Sequence, residues 1–265
     1  YQGALKLLNQ NVEILKTPID DAWCRDSGAI FLLNDKNQLA GVDSDFNCWG
    51  YKENFEQDDK VAKFMINNSN ATYFKNNMVL EGGSIHVNGN GTLITTEQCL
   101  LHENRNPNLS KNEIENNLKE YFGVTKIIWL KHGTDEGTNG HIDNVACFSD
   151  QNTVLAMTCS DKDDTYYDLL SENLDILKSS VDQDNNPLKI VEVEMSKKRF
   201  IPGDDEPSSY INFYIANSAI ILPFFGDDTA DQNAMKIIKE QFPNRQIECL
   251  DGHDILMGGG NIHCI

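Results

Sequence analysis

Cys264, near the end of the chain, is the side chain best suited to act as a nucleophile, and it follows the glycine run Gly258–Gly260. Three consecutive glycines lose much conformational entropy when they become ordered, so such a run usually permits a close backbone approach or a tight bend. We expect Cys264 to lie at the start of a strand, with its thiolate attacking an electrophilic carbon. The alternative is a buried, unreactive cysteine after a Gly-rich turn, because free cysteine is among the most buried residue types.

Strand-like runs recur along the chain, and each leads within a few residues to an unusual polar segment. The runs are Val12–Thr17, Tyr73–Leu80, Lys126–Leu130, Lys189–Val193 and Gln246–Leu250. The polar segments contain the candidate site residues Asp26, Glu81, His141, Asp143, Asn212 and Cys264. Equivalent strands arranged in a ring would bring these side chains to one central point.

The collected residue types suit a planar guanidinium group. Carboxylates match the edges of a guanidinium through paired hydrogen bonds, so Asp26 and Asp143 would hold it and keep its carbon electrophilic. Cys264 could attack that carbon, while His141 could protonate the departing nitrogen as ammonia and later activate a water. Glu81 could hydrogen-bond to the imidazole, fixing its orientation and raising its pKa. His141 and Asp143 lie two residues apart on a strand-like run, which would place both side chains on one face.

Each of these residues also has a simpler interpretation. Asp26 next to Arg25 is typical of a surface ion pair, and Glu81 before two glycines is typical of a turn. The pair at 141 and 143 could be polar residues at a strand end, and Asn212 could satisfy backbone groups. We expect the remaining histidines to be structural or exposed: His86, His102, His132, His253 and His263. Neither HExxH nor CxxC occurs, so the sequence predicts no metal site.

Hairpins and helices are predicted after the polar segments. The Asn88-Gly89 pair predicts a hairpin over Ile85–Ile94, and a second hairpin is predicted over Ala146–Met157. Helices are predicted over Asp58–Asn68, Lys111–Phe122, Tyr166–Ser180 and Asp231–Phe242. Ser110 and Glu113 predict a capping box at the second helix, and Asp231 is the predicted cap of the fourth.

The unit of strand, polar segment, hairpin and helix recurs roughly every 50–70 residues, which indicates an array or a closed ring of equivalent modules. We therefore predict an α/β fold and a single catalytic domain over residues 1–265. The chain begins at Tyr1 within a helix-like apolar run around Ala4–Leu8 and ends just after Cys264. We expect the first module to be partly missing and the last to be cut after Ile265, so that the ring is incomplete at both ends.

The composition limits the class of partner. The net charge of −19 over 265 residues argues against nucleic acid, which needs a basic surface, and favours a small cation. No apolar run is long enough to span a membrane. The seven cysteines are an odd number and widely scattered, which is typical of the reducing cytoplasm rather than of a disulfide framework. The sequence leaves open whether the chain forms a homo-oligomer.

The polar segments in combination resemble those of agmatine deiminases, and the likeness runs along the whole chain. The segments are Trp23–Gly28, Leu80–Val87, Thr138–Asn144, Tyr210–Asn217 and Gly258–Ile265, together with Asn104–Pro107 and Gly41–Asn47. The resemblance implies a five-bladed, pseudo-symmetric α/β propeller of the guanidine-modifying superfamily. It also implies hydrolysis of agmatine to N-carbamoylputrescine and ammonia, without a cofactor, through an amidino-cysteine intermediate.

The resemblance also assigns roles to residues. The family's nucleophile matches Cys264, and its general acid and base matches His141. Its guanidinium-binding carboxylates match Asp26 and Asp143, and the carboxylate partner of its histidine matches Glu81. Trp23 falls where family members pack the aliphatic chain of the substrate, although a core position would also suit a tryptophan. The chain has Gly137 where family members carry an acidic residue, which bears on recognition of the amine tail of the substrate.

Two alternatives remain open at this point. A deiminase of free or peptidyl arginine would need a cation for the substrate carboxylate, and the only basic residue near the motifs is Arg25. A catalytically inactive polyamine-binding relative would bind agmatine without releasing ammonia, although the complete set of cysteine, histidine and acidic residues argues against it. We also predict that Cys264→Ser abolishes turnover, with much milder effects for Cys24→Ser and Cys99→Ser.

Overall fold

A computed structural model describes residues 12–200 and 208–265 of the chain. Its strands are β1 (Ile30–Leu33), β2 (Leu39–Asp45), β3 (Thr72–Val79), β4 (Ile85–Val87), β5 (Thr92–Thr96), β6 (Lys126–Leu130), β7 (Ala146–Phe148), β8 (Thr153–Thr158), β9 (Lys189–Glu194), β10 (Tyr214–Ile215), β11 (Ala219–Phe224) and β12 (Gln246–Asp251). Its helices are α1 (Cys24–Ser27), α2 (Cys48–Tyr51), α3 (Val61–Ser69), α4 (Glu97–Leu100), α5 (Lys111–Phe122), α6 (Tyr167–Ser179), α7 (Asp228–Gln241) and α8 (His253–Leu256). Short 3₁₀ helices cover Asp58–Lys60, Gly82–Ser84, Ile142–Asn144 and Ile262–Cys264.

The twelve strands form four sheets of three, and every sheet has the same topology. The first two strands of each sheet form an antiparallel pair, and the third lies parallel to the second. A parallel pair needs a crossover connection, which α3, α5, α6 and α7 provide in turn. The α/β class and the repeated module are therefore confirmed. Of the five predicted blades, four have a sheet within the described residues, and Gly252–Ile265 follows the fourth.

The predicted secondary structure is largely confirmed, including the two hairpins, the four helices and four of the strands. The capping box is present, because Glu113 N donates to Ser110 Oγ and Ser110 N donates to the Glu113 carboxylate. The predicted strand over Val12–Thr17 is wrong: the segment pairs with no strand among the described residues and leaves Val12 and Leu15 about half exposed. The predicted helix near residues 4–8 lies outside the described residues.

The fourth long helix begins earlier than predicted. Its N-cap is Asp227, whose side chain accepts from Ala230 N, so the prediction of Asp231 as the cap is wrong. Asp231 is buried one turn into the helix, where its carboxylate accepts hydrogen bonds from Tyr210 Oη at 2.6 Å and Phe225 N at 3.0 Å. A carboxylate in the first turn is favourable in either position, which is why the sequence did not separate the two.

The first strands of the second and third hairpins, β4 and β7, contact each other. In neighbouring blades, Phe148 N on β7 donates to His86 Nδ1 on β4 at 3.2 Å. Each first strand begins just after a polar segment: β1 after α1, β4 after residues 82–84, β7 after residues 142–144, and β10 after Asn212. The polar segments therefore lie at one end of the bundle of first strands. Among the described residues, no helix is long and apolar enough to cross a membrane.

Candidate active site

Three predicted side chains converge on Gly83. A Cβ atom at this glycine would lie 2.6 Å from His141 Nδ1, 2.8 Å from Asp26 Oδ1 and 3.0 Å from Asp143 Oδ2. The backbone N–H of Gly83 donates to Asp26 Oδ1 at 2.9 Å. Only glycine fits here, because any side chain would displace all three groups. The strand expected to carry His141 and Asp143 is instead the 3₁₀ helix Ile142–Asn144, yet both side chains reach the same point.

The Cys264 thiol lies beside Asp143 and Asn212. Its Sγ is 3.6 Å from Asp143 Oδ2, 3.5 Å from Asn212 Oδ1 and 3.4 Å from Asn212 Nδ2. The prediction that Cys264 begins a strand is wrong, since Ile262–Cys264 forms a single 3₁₀ turn. Asn212 is fully buried, and its Oδ1 also accepts from His263 N at 2.9 Å. Asn212 therefore holds the cysteine segment in place.

His263 contacts the site, contrary to the expectation that it is structural or exposed. Its Nδ1 lies 2.8 Å from Asp143 Oδ2, the same oxygen that faces the thiol. Arg25 Nε donates to the His263 carbonyl at 3.1 Å, so Arg25 braces the backbone of this segment instead of pairing with Asp26. Asp143 Oδ1 is buried and has no hydrogen-bond partner among the described residues. That oxygen is free to accept a hydrogen bond from a bound molecule.

Burial and charge set the protonation of the site. Burial raises the pKa of Cys264 well above its usual value, and the negative charges of Asp143 and Asp26 raise it further. Burial alone would lower the pKa of His141, but the charge of Asp26, with contributions from Cys99 and Glu81, holds it well above its usual value. Both shifts favour the protonated forms, which are a neutral thiol at Cys264 and an imidazolium at His141.

The two aspartates differ in environment. Burial raises the pKa of Asp26, and the nearby carboxylates of Asp143 and Glu81 add to this against the opposing charge of His141. Burial would also raise the pKa of Asp143, but the hydrogen bond and charge of His263 hold it below its usual value. Trp49 Nε1 donates to Asp26 Oδ2 at 2.9 Å, so Asp26 is buried and hydrogen-bonded and does not form a surface ion pair.

Glu81 is held by a cation that the sequence analysis did not assign. Arg105 Nε donates to Glu81 Oε1 at 2.6 Å, and both side chains are fully buried. The predicted hydrogen bond between Glu81 and the imidazole is not formed, because Glu81 Oε2 and His141 Nε2 each lack a partner within the described chain. The carboxylate nearer to the ring is that of Asp26, with its Oδ1 3.7 Å from His141 Nδ1.

A cavity of 260 Å³ opens onto the thiol. It is lined by Asp21, Trp23, Asp26, Trp49, Lys52, Glu53, Gly137, Thr138, Gly258, Gly259 and Cys264. Trp23 packs against the glycine run: a Cβ at Gly260 would lie 2.6 Å from Trp23 Cζ3, and Gly259 has a φ of +98°. The glycines therefore permit close approach to the indole as well as a turn that other residues disfavour.

Comparison with known proteins places the chain in a family. A sequence model for the Porphyromonas-type peptidyl-arginine deiminase family matches residues 1–265. The chain belongs to this family. A Legionella pneumophila protein provisionally named an agmatine deiminase is 44% identical over 257 residues, covering 96% of this chain and 74% of the relative. Agmatine deiminase from Medicago truncatula is 36% identical over 299 residues, and the match covers 100% of this chain and 80% of the relative.

A solved structure of a family member supports the fold directly. The chain superposes on a structure of Enterococcus faecalis agmatine deiminase, described as catalysing its reaction, with a TM-score of 0.93 and 34% identity. The match covers 100% of this chain and 79% of that one. The resemblance inferred from the polar segments is confirmed.

Of the predicted site residues, His141, Asp143 and Asp26 meet around Gly83. Cys264 lies beside Asp143, and both Cys264 and Trp23 line the cavity. Glu81 lies behind the imidazole, and Asn212 lies behind the thiol. The sequence analysis did not assign Gly83, Trp49, Arg105 or His263 a place at the site. Arg105 lies in the segment Asn104–Pro107, which formed part of the resemblance, so that segment was the available signal for it.

Arg105 links Glu81 to the loop beside the cavity. Its Nη1 donates to Asn104 Oδ1 and Asn139 Oδ1 at 2.6 Å and 2.9 Å, and its Nη2 donates to the Thr138 carbonyl at 2.8 Å. Because Thr138 lines the cavity, the guanidinium connects the carboxylate to the cavity wall.

Arg105→Met is expected to destabilise the protein by about 3–5 kcal/mol, because Glu81 would keep a buried charge with no partner. Urea denaturation followed by circular dichroism measures this change. The double variant Arg105→Met with Glu81→Gln removes both charges and should recover part of the loss. If the two substitutions are strictly additive in free energy, the ion pair does not couple these residues.

Proposed function

We propose that this protein is an agmatine deiminase, which hydrolyses agmatine to N-carbamoylputrescine and ammonia. The observation that carries the proposal is the convergence of two buried carboxylates and an imidazole around Gly83, with the Cys264 thiol 3.6 Å from one of those carboxylates and lining a cavity. Relatives that are 36–44% identical over nearly the whole chain and bear the same activity in their names support it.

Substrate binding would use the two buried carboxylates of the site as acceptors. The guanidinium would donate to Asp26 and to Asp143 Oδ1, which is buried and otherwise without a partner in the described chain. Bidentate contacts of this type fix the plane of the cation and keep its central carbon facing one direction. The aliphatic chain would run outward past Trp23, and the cavity mouth carries the exposed carboxylates of Asp21 and Glu53 to attract the terminal ammonium.

The first half of the reaction depends on binding. Agmatine places a positive charge beside Cys264, which offsets the charges of Asp26 and Asp143 and lowers the pKa of the thiol. The thiol releases its proton to water, and the thiolate attacks the guanidinium carbon. The His141 imidazolium gives its proton to the departing nitrogen, which leaves as ammonia. The product of this half is an amidino group bound to Cys264 through sulfur, with His141 now neutral.

The second half uses water. Neutral His141 takes a proton from a water, the oxygen attacks the amidino carbon, and the carbon–sulfur bond breaks. The liberated product carries a urea group in place of the guanidinium, and Cys264 returns to its thiol form. The net reaction consumes one water and releases ammonia, which leaves as ammonium at neutral pH.

A second candidate substrate is free arginine. The sequence analysis identified Arg25 as the only cation near the motifs, but the structure places Lys52 in the cavity wall. Lys52 Nζ donates to the main-chain carbonyls of Glu136 and Gly137, so it is already engaged there. Two carboxylates and one engaged cation at the mouth favour an ammonium tail over a carboxylate tail.

The test is to incubate the purified protein with agmatine or arginine, to measure ammonia, and to separate carbamoylputrescine from citrulline by mass spectrometry. We expect ammonia and carbamoylputrescine from agmatine, with a kcat/KM for agmatine at least a hundredfold above that for arginine, since about 3 kcal/mol separates a paired from an unpaired carboxylate. Predominant citrulline formation would favour the second candidate. Binding of agmatine in calorimetry without ammonia release would favour an inactive binding protein.

We further propose that residues 1–265 act as one catalytic domain in the cytoplasm and supply carbamoylputrescine for putrescine formation. All seven cysteines are free thiols, which supports a reducing compartment.

A further inference from the structure

Glu81, Cys99 and His141 form a cluster of three fully buried side chains. One ligand-type atom from each lies within 4.8 Å of the others. Glu81 Oε2 and His141 Nε2 are buried and have no hydrogen-bond partner within the described chain. Unpaired buried polar atoms are uncommon and call for an explanation. The proposed reaction uses the ring of His141 but gives no part to Cys99.

We propose that Glu81, Cys99 and His141 form a binding site for a thiophilic divalent cation, with Zn²⁺ as the best match. A carboxylate oxygen, a thiolate sulfur and an imidazole nitrogen are the ligand types that Zn²⁺ takes in proteins, and three protein ligands leave a fourth position for water.

The charge of the cluster suits a dication. Cys99 releases its proton to solvent when the metal–sulfur bond forms, so Glu81 and Cys99 each contribute one negative charge, and the Glu81 charge is shared with Arg105. Arg105 occupies only Oε1 of Glu81 and leaves Oε2 for the metal. Asp26 and Asp143 add further negative charge near the ring. The same negative charge that would attract a guanidinium therefore also attracts a metal ion.

Metal binding at this cluster would inhibit the hydrolysis of agmatine. This consequence rests on the proposed function. An imidazole that ligates a metal is neutral and cannot also carry the proton that the departing nitrogen needs. Zn²⁺ would therefore inhibit by competing with a proton at His141, without occupying the cavity that holds the substrate. The cluster makes the enzyme sensitive to free zinc through a thiol other than the nucleophile.

The test of the site itself is spectroscopic and needs no turnover. Co²⁺ replaces Zn²⁺ as a probe, because a cobalt–thiolate bond gives a charge-transfer band in the near ultraviolet. We expect this band in the native chain and in Cys264→Ser, and its loss in Cys99→Ser. Cys249→Ser, a half-buried cysteine on β12, is the matched control and should keep the band. Absence of the band in the folded native chain, or its loss in Cys264→Ser but not in Cys99→Ser, would overturn the proposal.

Two further measurements keep the test decisive. Glu81→Gln should weaken cobalt affinity by roughly 10–100-fold, which checks the site if Cys99→Ser does not fold; unchanged affinity would overturn it. For inhibition, zinc is titrated against ammonia release, and each variant is compared with its own metal-free rate. The half-inhibitory zinc concentration should rise at least tenfold in Cys99→Ser and stay unchanged in Cys249→Ser. A chain that shows the cobalt band but never releases ammonia would contradict the proposed function and leave the metal site supported.

Discussion

Cys264→Ser is expected to lower the rate of ammonia release from agmatine by about 10⁴-fold or more. A hydroxyl has a far higher pKa than a thiol, and His141 is already protonated in the free protein and cannot take the hydroxyl proton. The substitution changes one atom in a buried position, so the fold and the cavity should persist. Agmatine should therefore still bind, with an affinity measurable by calorimetry, while turnover is lost.

The controls follow from the positions of the other cysteines. Cys249→Ser, on β12, should keep kcat/KM within about threefold, as expected for a position away from the cavity. Cys24→Ser is a second control in the helix that precedes β1. Cys99→Ser, for which the sequence predicted a much milder effect, does not serve as a neutral control, because the Cys99 thiol lies within 4.8 Å of a ring nitrogen of His141. Rapid quenching of the native protein with agmatine should give an amidine adduct on Cys264 in mass spectrometry. Near-normal turnover in Cys264→Ser would contradict a mechanism in which Cys264 is the nucleophile.

Asp143→Asn is expected to lower kcat/KM by roughly thirtyfold to several thousandfold, which corresponds to about 2–5 kcal/mol. The amide has nearly the same shape as the carboxylate but loses the charge that would pair with the guanidinium. It also replaces one acceptor with an N–H donor that would face the substrate's own donors. Asp254→Asn makes the same chemical change at a fully exposed side chain and should leave kcat/KM within about twofold. Equal rates for the two variants would show that Asp143 does not hold the substrate.

Asp143→Asn lowers kcat/KM, but it should increase the reactivity of the Cys264 thiol in the substrate-free protein. Burial and, after it, the charge of Asp143 raise the pKa of Cys264 well above its usual value, which favours the neutral thiol in the substrate-free native protein. Alkylation of Cys264 by iodoacetamide should therefore be slow at pH 8 and should accelerate as the pH rises further. In Asp143→Asn the pKa falls, so alkylation at pH 8 should be faster than in the native protein. Peptide mass spectrometry of Cys264 measures both rates, and slower alkylation in the variant would contradict the charge argument.

Local signals in the sequence determined most of the secondary structure. Helix α5 was predicted with its observed bounds and its capping box, because periodicity and capping are properties of adjacent residues. The repeat of hairpin and helix predicted the α/β module, and the residue types in the polar segments predicted chemistry at a guanidinium group. The predictions were wrong where the burial of a side chain, which the sequence does not show, determined its role. Asp231 was the predicted cap of the fourth long helix, but its carboxylate accepts from the buried Tyr210 hydroxyl, and Asp227 caps the helix instead.

The sequence by itself determined which chemical groups this protein has and that they come from separate modules. The tertiary structure alone decided how those groups are paired. Glu81 turned out to be held by Arg105, 24 residues away, and Asp143 by His263, 120 residues away. Such pairings have no local signature, because a buried charge selects its partner from whatever the fold brings within about 3 Å. For the same reason, only the folded chain brings Cys99 and Glu81 close to His141, in an arrangement that fits a metal ion.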